Sequence, residues 1–95
     1  MRVYISGQVT GLDYNNALSA FSEAAKKIEE RGDEAINPTL YCNQDWDWNK
    51  CMRTVLPLLT ECDGILMLKG WKKSRGAKLE HFIALKLGLK IEIEK

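Results

Sequence analysis

The apolar run Gly64-Ile65-Leu66-Met67-Leu68 passes almost directly into Gly70-Trp71-Lys72-Lys73-Ser74-Arg75-Gly76, and then into a helical pattern that reaches Leu87. A strand, a glycine-bracketed loop and a helix in that order make a β-α unit. Around Glu80, apolar residues recur at i−3 (Ala77), i+3 (Ile83), i+4 (Ala84) and i+7 (Leu87). At about 100° per residue these four fall within about 60° of Glu80, so the carboxylate sits mid-stripe on the inward face. A Glu is almost never fully buried without a partner, and a dry ionised carboxylate costs several kcal/mol or takes up a proton. Either Glu80 lines a cleft or the helix faces another way, and the cleft is the expectation.

The rest of the chain repeats the same alternation. Arg2–Ser6 reads as a short strand ending at Gly7, and Gly7-Gln8-Val9-Thr10-Gly11 is a second glycine-bracketed loop. Asp13 or Asn15 caps a helix whose stripe is Leu18, Phe21, Ala25 and Ile28, with Lys26, Lys27 and Arg31 near its C-terminus and Gly32 closing it. Glu34–Asn37 is a strand stopped by Pro38, and Thr39–Asn49 is the least regular part. A helix then starts near Asp47 and carries Met52, Val55, Leu58 and Leu59. Pro57 predicts a break near Val55–Leu56, because an interior helix proline costs about 3 kcal/mol. Lys90–Glu94 closes the chain as a strand, Ile91 and Ile93 alternating with charges. The order β-α-β-α-β-α-β predicts an α/β fold, a three-layer flavodoxin-like sandwich with a small parallel sheet. In such sheets ligands bind beyond the carboxyl ends of the strands, so the loops Gly7–Gly11 and Gly70–Gly76 should meet at the site.

Composition narrows the function classes. Ninety-five residues with 45% apolar content make one domain with a modest core. A net charge of +1, with both signs spread along the chain, argues for neither nucleic acid nor an anionic membrane as partner. No apolar run approaches the roughly 18 residues of a membrane helix, and the apolar part of the N-terminus is too short for a secretory signal. Three cysteines, Cys42, Cys51 and Cys62, form no CxxC pair and read as reduced thiols of a cytoplasmic protein. Zinc is not expected, since His81 alone could join them and shares no ligand spacing. Neither GxGxxG nor GxxxxGK[ST] is present, so neither NAD nor a nucleoside triphosphate is indicated.

Several residues carry two readings each. Glu80 is a nucleophile or general base tuned by burial, or a structural carboxylate paired with a Lys or with backbone N–H groups. Ser74-Arg75-Gly76 at a helix start is an anion site, or an ordinary cap followed by a permissive glycine. Trp46, Trp48 and Trp71 stack on a base or close a lid, or pack a loop on itself. Asp63 reads as a cap or turn former. Leu79, Phe82 and Leu85 lie opposite Glu80, and a helix apolar on two sides predicts self-association into a homo-oligomer.

With Tyr4-Ile5-Ser6-Gly7, Ile36-Asn37-Pro38, Cys62-Asp63-Gly64, Gly70-Trp71, Ser74–Ala77 and Glu80 placed, the chain resembles the DUF4406 family. These are small domains of phages and bacteria, related to nucleoside 2-deoxyribosyltransferases. The resemblance runs nearly end to end, and its most specific string is Cys62–Glu80. It implies a single transferase-like domain over residues 1–95 that cleaves the N-glycosidic bond of a 2′-deoxynucleoside or its monophosphate, without a cofactor. By that resemblance Glu80 is the catalytic residue that attacks the anomeric carbon, in the two-step logic of retaining glycosidases. Tyr4, Gly7 and Gln8 would border the sugar and base. Ser74 stands where the 5′-phosphate N-hydrolases carry a phosphate-contacting serine, and Gly76 would offer its N–H beside it.

The chain departs from that pattern at Val55, eight residues before Asp63, where both enzyme groups carry an Asp that assists the sugar and leaving group. General acid–base help is worth about 10²–10⁴ in rate, so its loss implies a slow enzyme or a binding protein. Asp45 and Asp47 are the available substitutes. The rival readings are therefore a non-catalytic nucleotide-binding domain and an oligomeric interaction module of the same fold.

Overall fold

In a computed structural model the chain is described over residues 1–94. Strands β1 (Arg2–Ser6), β2 (Glu34–Ile36), β3 (Gly64–Met67) and β4 (Lys90–Ile93) form one parallel sheet in the order β2-β1-β3-β4. Helices α1 (Tyr14–Glu30), α2 (Trp48–Thr60) and α3 (Arg75–Lys86) connect them, with single 3₁₀ turns at Pro38–Leu40 and Trp71–Lys73.

β1 lies inside the sheet and is buried from Val3 to Ser6. Its alternation divides the core in two. Val3 and Ile5 pack with Phe21, Ala24 and Ile28 of α1, while Tyr4 packs with Met52, Val55 and Leu59 of α2 and Ala77 and Ala84 of α3. One helix therefore covers one face and two cover the other, giving the three-layer flavodoxin-like sandwich that the element order predicts. The chain leaves β1 for β2 on one side and returns to β3 on the other, so the loops after β1 and β3 part at the carboxyl end of the sheet.

Local chemistry sets the element ends. Asp13 caps α1 by accepting the Asn16 N–H at 3.0 Å, and Asp47 caps α2 by accepting that of Lys50 at 2.8 Å. Asp63 is structural: its carboxylate accepts the Arg2 N–H at 2.9 Å, and its carbonyl accepts that of Lys90 at 3.1 Å. Arg31, just past α1, forks onto Glu92 of β4 at 2.8 and 2.9 Å and fastens the helix end to the far strand. On α3, Phe82 and Leu85 are exposed and Leu79 is half-buried, so the second apolar face is real. No helix among the described residues is long and apolar enough to cross a membrane.

Two expectations are corrected. α2 does not break near Val55–Leu56 but runs unbroken through Pro57. Pro57 and Arg53, whose carbonyl loses its i+4 donor, are both exposed, a setting in which solvent lowers the cost of the missing bond. Nor are the cysteines all thiols: Cys42 and Cys51 are joined in a disulfide, and Cys62 alone is free. The turn after Pro38–Leu40 brings Cys42 back onto the start of α2, with Cα atoms 5.5 Å apart, a proximity that a separation of nine residues does not announce.

Replacing the proline should recover what it costs the helix. Pro57→Ala restores the N–H donor to the Arg53 carbonyl and is expected to stabilise the fold by about 1–2 kcal/mol in urea denaturation, after allowance for the freer unfolded chain. A destabilised variant would mean that the proline ring is needed where it stands.

Candidate functional site

A cleft of about 690 Å³ opens at the carboxyl end of the sheet, where the loops after β1 and β3 part. Its size lies within the range of about 300–1,000 Å³ usual for small-molecule sites. The loop after β1 contributes Gly7, Val9 and Gly11; Pro38 and Thr39 follow β2; Trp48, Met52 and Val55 come from α2; and Ser74, Arg75 and Gly76 come from the start of α3. Two glycines allow the walls to close up. A Cβ at Gly7 would stand 3.0 Å from Leu68 Cβ, and one at Gly76 would stand 3.2 Å from Met52 Sδ and 3.4 Å from Trp48 Nε1.

Glu80 lies in this cleft and is 5% exposed. Both of its oxygens are held by β1. Ser6 Oγ donates to Oε1 at 2.6 Å, and Tyr4 Oη donates to Oε2. Tyr4 and Ser6 are two residues apart on one strand, hence on the same face, and that face carries α3. Burial pushes the Glu80 carboxyl up to about 7, against the hydrogen bonds from Ser6 and Tyr4, which favour the ionised form. Burial and the neighbouring Glu80 charge hold Tyr4 far above the ordinary phenol range, so it stays a donor.

Donors and cations gather where α3 begins, along the same cleft. Ser74 caps α3, its Oγ accepting the Ala77 N–H at 3.1 Å, and its own O–H remains to donate. The N–H groups of Arg75 and Gly76, in the first turn, have no acceptor among the described residues. The Arg75 guanidinium lies 3.7 Å from the centre of the Trp48 ring, and Lys73 lines the same end.

Of the residues singled out from sequence, Tyr4, Gly7, Ser74, Gly76 and Glu80 come together in the cleft. Gln8 does not line it: its amide donates to the Thr10 carbonyl at 3.1 Å and lies beside Gly11, bracing the loop from within. Trp46 and Trp48 line the cleft, whereas Trp71 lies away from it, stacked on His81 at 4.5 Å. Val55 stands in the wall, Asp47 reaches the rim while capping α2, and Asp45 does not reach it. Ser6 was not singled out for the site, and Arg75 was read only as part of the Ser74–Gly76 helix start. Two-residue alternation with Tyr4 would have found Ser6, but no local signal pairs Arg75 with Trp48.

The Glu80 value carries a sign for stability. It lies above the ordinary carboxyl value of 4.5, so the contribution is fully present below that pH and is lost as pH rises through about 7. Urea denaturation should show wild type losing up to about 3 kcal/mol across this window relative to Glu80→Gln, which cannot ionise. A pH-independent difference between the two proteins would contradict the burial of an ionisable carboxyl.

Among solved structures, the chain is similar to the CMP N-glycosidase BcmB of Clostridium botulinum, with a TM-score of 0.66 and 20% sequence identity over 98% of this chain and 67% of that one. At that identity the likeness is one of fold. No curated protein matches the sequence. The match to a domain of unknown function, DUF4406, extends over residues 1–93, and the chain belongs to that family.

Proposed function

We propose that residues 1–95 act as one nucleoside 2-deoxyribosyltransferase-like domain that breaks the N-glycosidic bond of a 2′-deoxynucleoside or its 5′-monophosphate, with Glu80 as nucleophile. The observation that carries this reading is a carboxylate at the bottom of a ligand-sized cleft, with both oxygens oriented by hydroxyl donors. One Glu80 oxygen attacks the anomeric carbon, the C–N bond breaks, and its electron pair leaves with the base. Water or a second base then displaces the carboxylate from the glycosyl ester, giving hydrolysis or transfer. Tyr4 and Ser6 fix the carboxylate in position for attack. Gly7 and Tyr4 border the sugar and base. Gln8 acts through the loop it braces. No cofactor enters these steps.

The anion end favours a phosphorylated substrate. Ser74 and the N–H groups of Arg75 and Gly76 offer three donors at a helix N-terminus. The similarity to a CMP N-glycosidase, whose named substrate is a nucleoside 5′-monophosphate, supports the same class by analogy of fold. Val55 favours a second reading: with an aliphatic side chain in the wall where a proton donor would assist, the domain binds a nucleotide without turning it over.

Incubation with the four deoxynucleoside monophosphates, CMP and the parent nucleosides, scored for free base, separates the two. The nucleophile reading expects release that rises with pH through about 7, as Glu80 ionises, and falls by about 10³ or more in Glu80→Ala. Equal release from wild type and variant sinks it. Calorimetric binding without release, weakened by Ser74→Ala more for monophosphates than for nucleosides, establishes the second reading.

The exposed Phe82 and Leu85 on α3 further support a homo-oligomer. Light scattering should give a mass of at least two chains, and a monomer at high concentration overturns it.

A further inference from the structure

We propose that the Cys42–Cys51 disulfide is a thiol-responsive latch on one wall of the cleft, and that its reduction loosens residues 41–47 and weakens ligand binding. The binding half rests on the nucleotide reading above; the latch half does not.

Both cysteines line the cleft and are half-buried, within reach of a small thiol. Cys51 stands on α2, a regular element packed on the core, whereas Cys42 stands in the irregular segment that follows the 3₁₀ turn. That segment gives the wall Asn43, Gln44, Trp46 and Asp47. Its own hydrogen bonds are local: Tyr41 N–H to the Pro38 carbonyl at 3.0 Å, Asp45 N–H to Asn43 Oδ1 at 2.9 Å, and Trp46 N–H to the Asn43 carbonyl at 3.0 Å. Among the described residues, no hydrogen bond ties residues 42–46 to the sheet, to α1 or to α3. Besides the bridge, Cys42 packs against the core beside Cys51, and Lys50 Nζ lies 4.3 Å from the Trp46 ring centre. Among the described residues the disulfide is therefore the covalent tie between this wall and the packed body of the protein, and weak contacts supply the rest.

Cys62 marks the contrast. It is buried, its Sγ donates to the Leu58 carbonyl at 3.3 Å, and burial pushes its thiol up to about 11, which leaves it unreactive. In a compartment rich in thiols a bridge like Cys42–Cys51 is transient and redox-sensing rather than permanent.

Opening needs a dithiol reductant. One of its thiolates attacks a bridge sulfur, forming a mixed disulfide and releasing the other cysteine as thiolate; the second thiol then resolves the mixed disulfide. Two electrons and two protons pass to the protein, giving two cysteine thiols and the oxidised dithiol. Once free, the segment must be ordered again each time a ligand closes the wall, which weakens binding. By reciprocity, a bound ligand makes the bridge harder to reduce.

The test uses the full chain, oxidised and after dithiothreitol, with free thiols rising from one to three. Calorimetry with a 2′-deoxynucleoside 5′-monophosphate should show binding about tenfold weaker in the reduced protein, the cost of re-immobilising the segment's side chains. Chymotrypsin cleavage at Tyr41 and Trp46 should accelerate, with the far-UV dichroism unchanged. The Cys42→Ser/Cys51→Ser double variant should match the reduced protein with or without dithiothreitol. Three titrated thiols with unchanged affinity and cleavage rate overturn the latch. So does loss of far-UV dichroism on reduction, because the bridge would then hold the whole fold. Faster cleavage with no nucleotide bound in either state supports the latch and overturns the nucleotide reading.

Discussion

A carboxylate removed from water has to be met by donors, and the pairing of Glu80 with Tyr4 and Ser6 is the contact on which the site depends. It joins the inner strand to the first turns of α3, so the placement of that helix and the aim of the carboxylate are set together. The two donors offset only part of the cost of burial, and the group is left near neutrality, where it can exist in either protonation state. Its environment is one-sided. Ala77, Met52 and Val55 supply apolar wall, and the donors come from β1 alone.

Around that contact the cleft is a consequence of strand order. Because the chain moves from β1 outward to β2 and returns on the other side as β3, the connections that follow them diverge, and a groove opens at the carboxyl end of the sheet. Gly7 and Gly76 narrow it by letting backbone approach Leu68 and Met52. Charge is divided along its length, with Glu80 at the bottom and Lys73, Arg75 and the free end of α3 at the mouth.

Most of the fold was legible because helix and strand periods write themselves into apolar spacing. The strand at Gly64, the helix carrying Glu80, and the caps at Asp13, Asp47 and Ser74 all stand where spacing and capping chemistry place them. Pro57 was misleading because its cost depends on whether the orphaned Arg53 carbonyl faces water, which is a property of the packed helix. Gln8 was misleading for a related reason. A glutamine in a loop has several acceptors in reach, and here the Thr10 carbonyl is the one it meets.

What the sequence determined by itself is the set of elements, their order and the inward face of each, including the awkward position of Glu80. These follow from covalent geometry and local periodicity, which act over a few residues. Tertiary structure alone decided which groups meet across the chain: Ser6 and Tyr4 on Glu80, Arg75 on Trp48, and Cys42 on Cys51. Such meetings depend on how layers stack and which way loops turn, and side-chain spacing along the sequence carries no record of either.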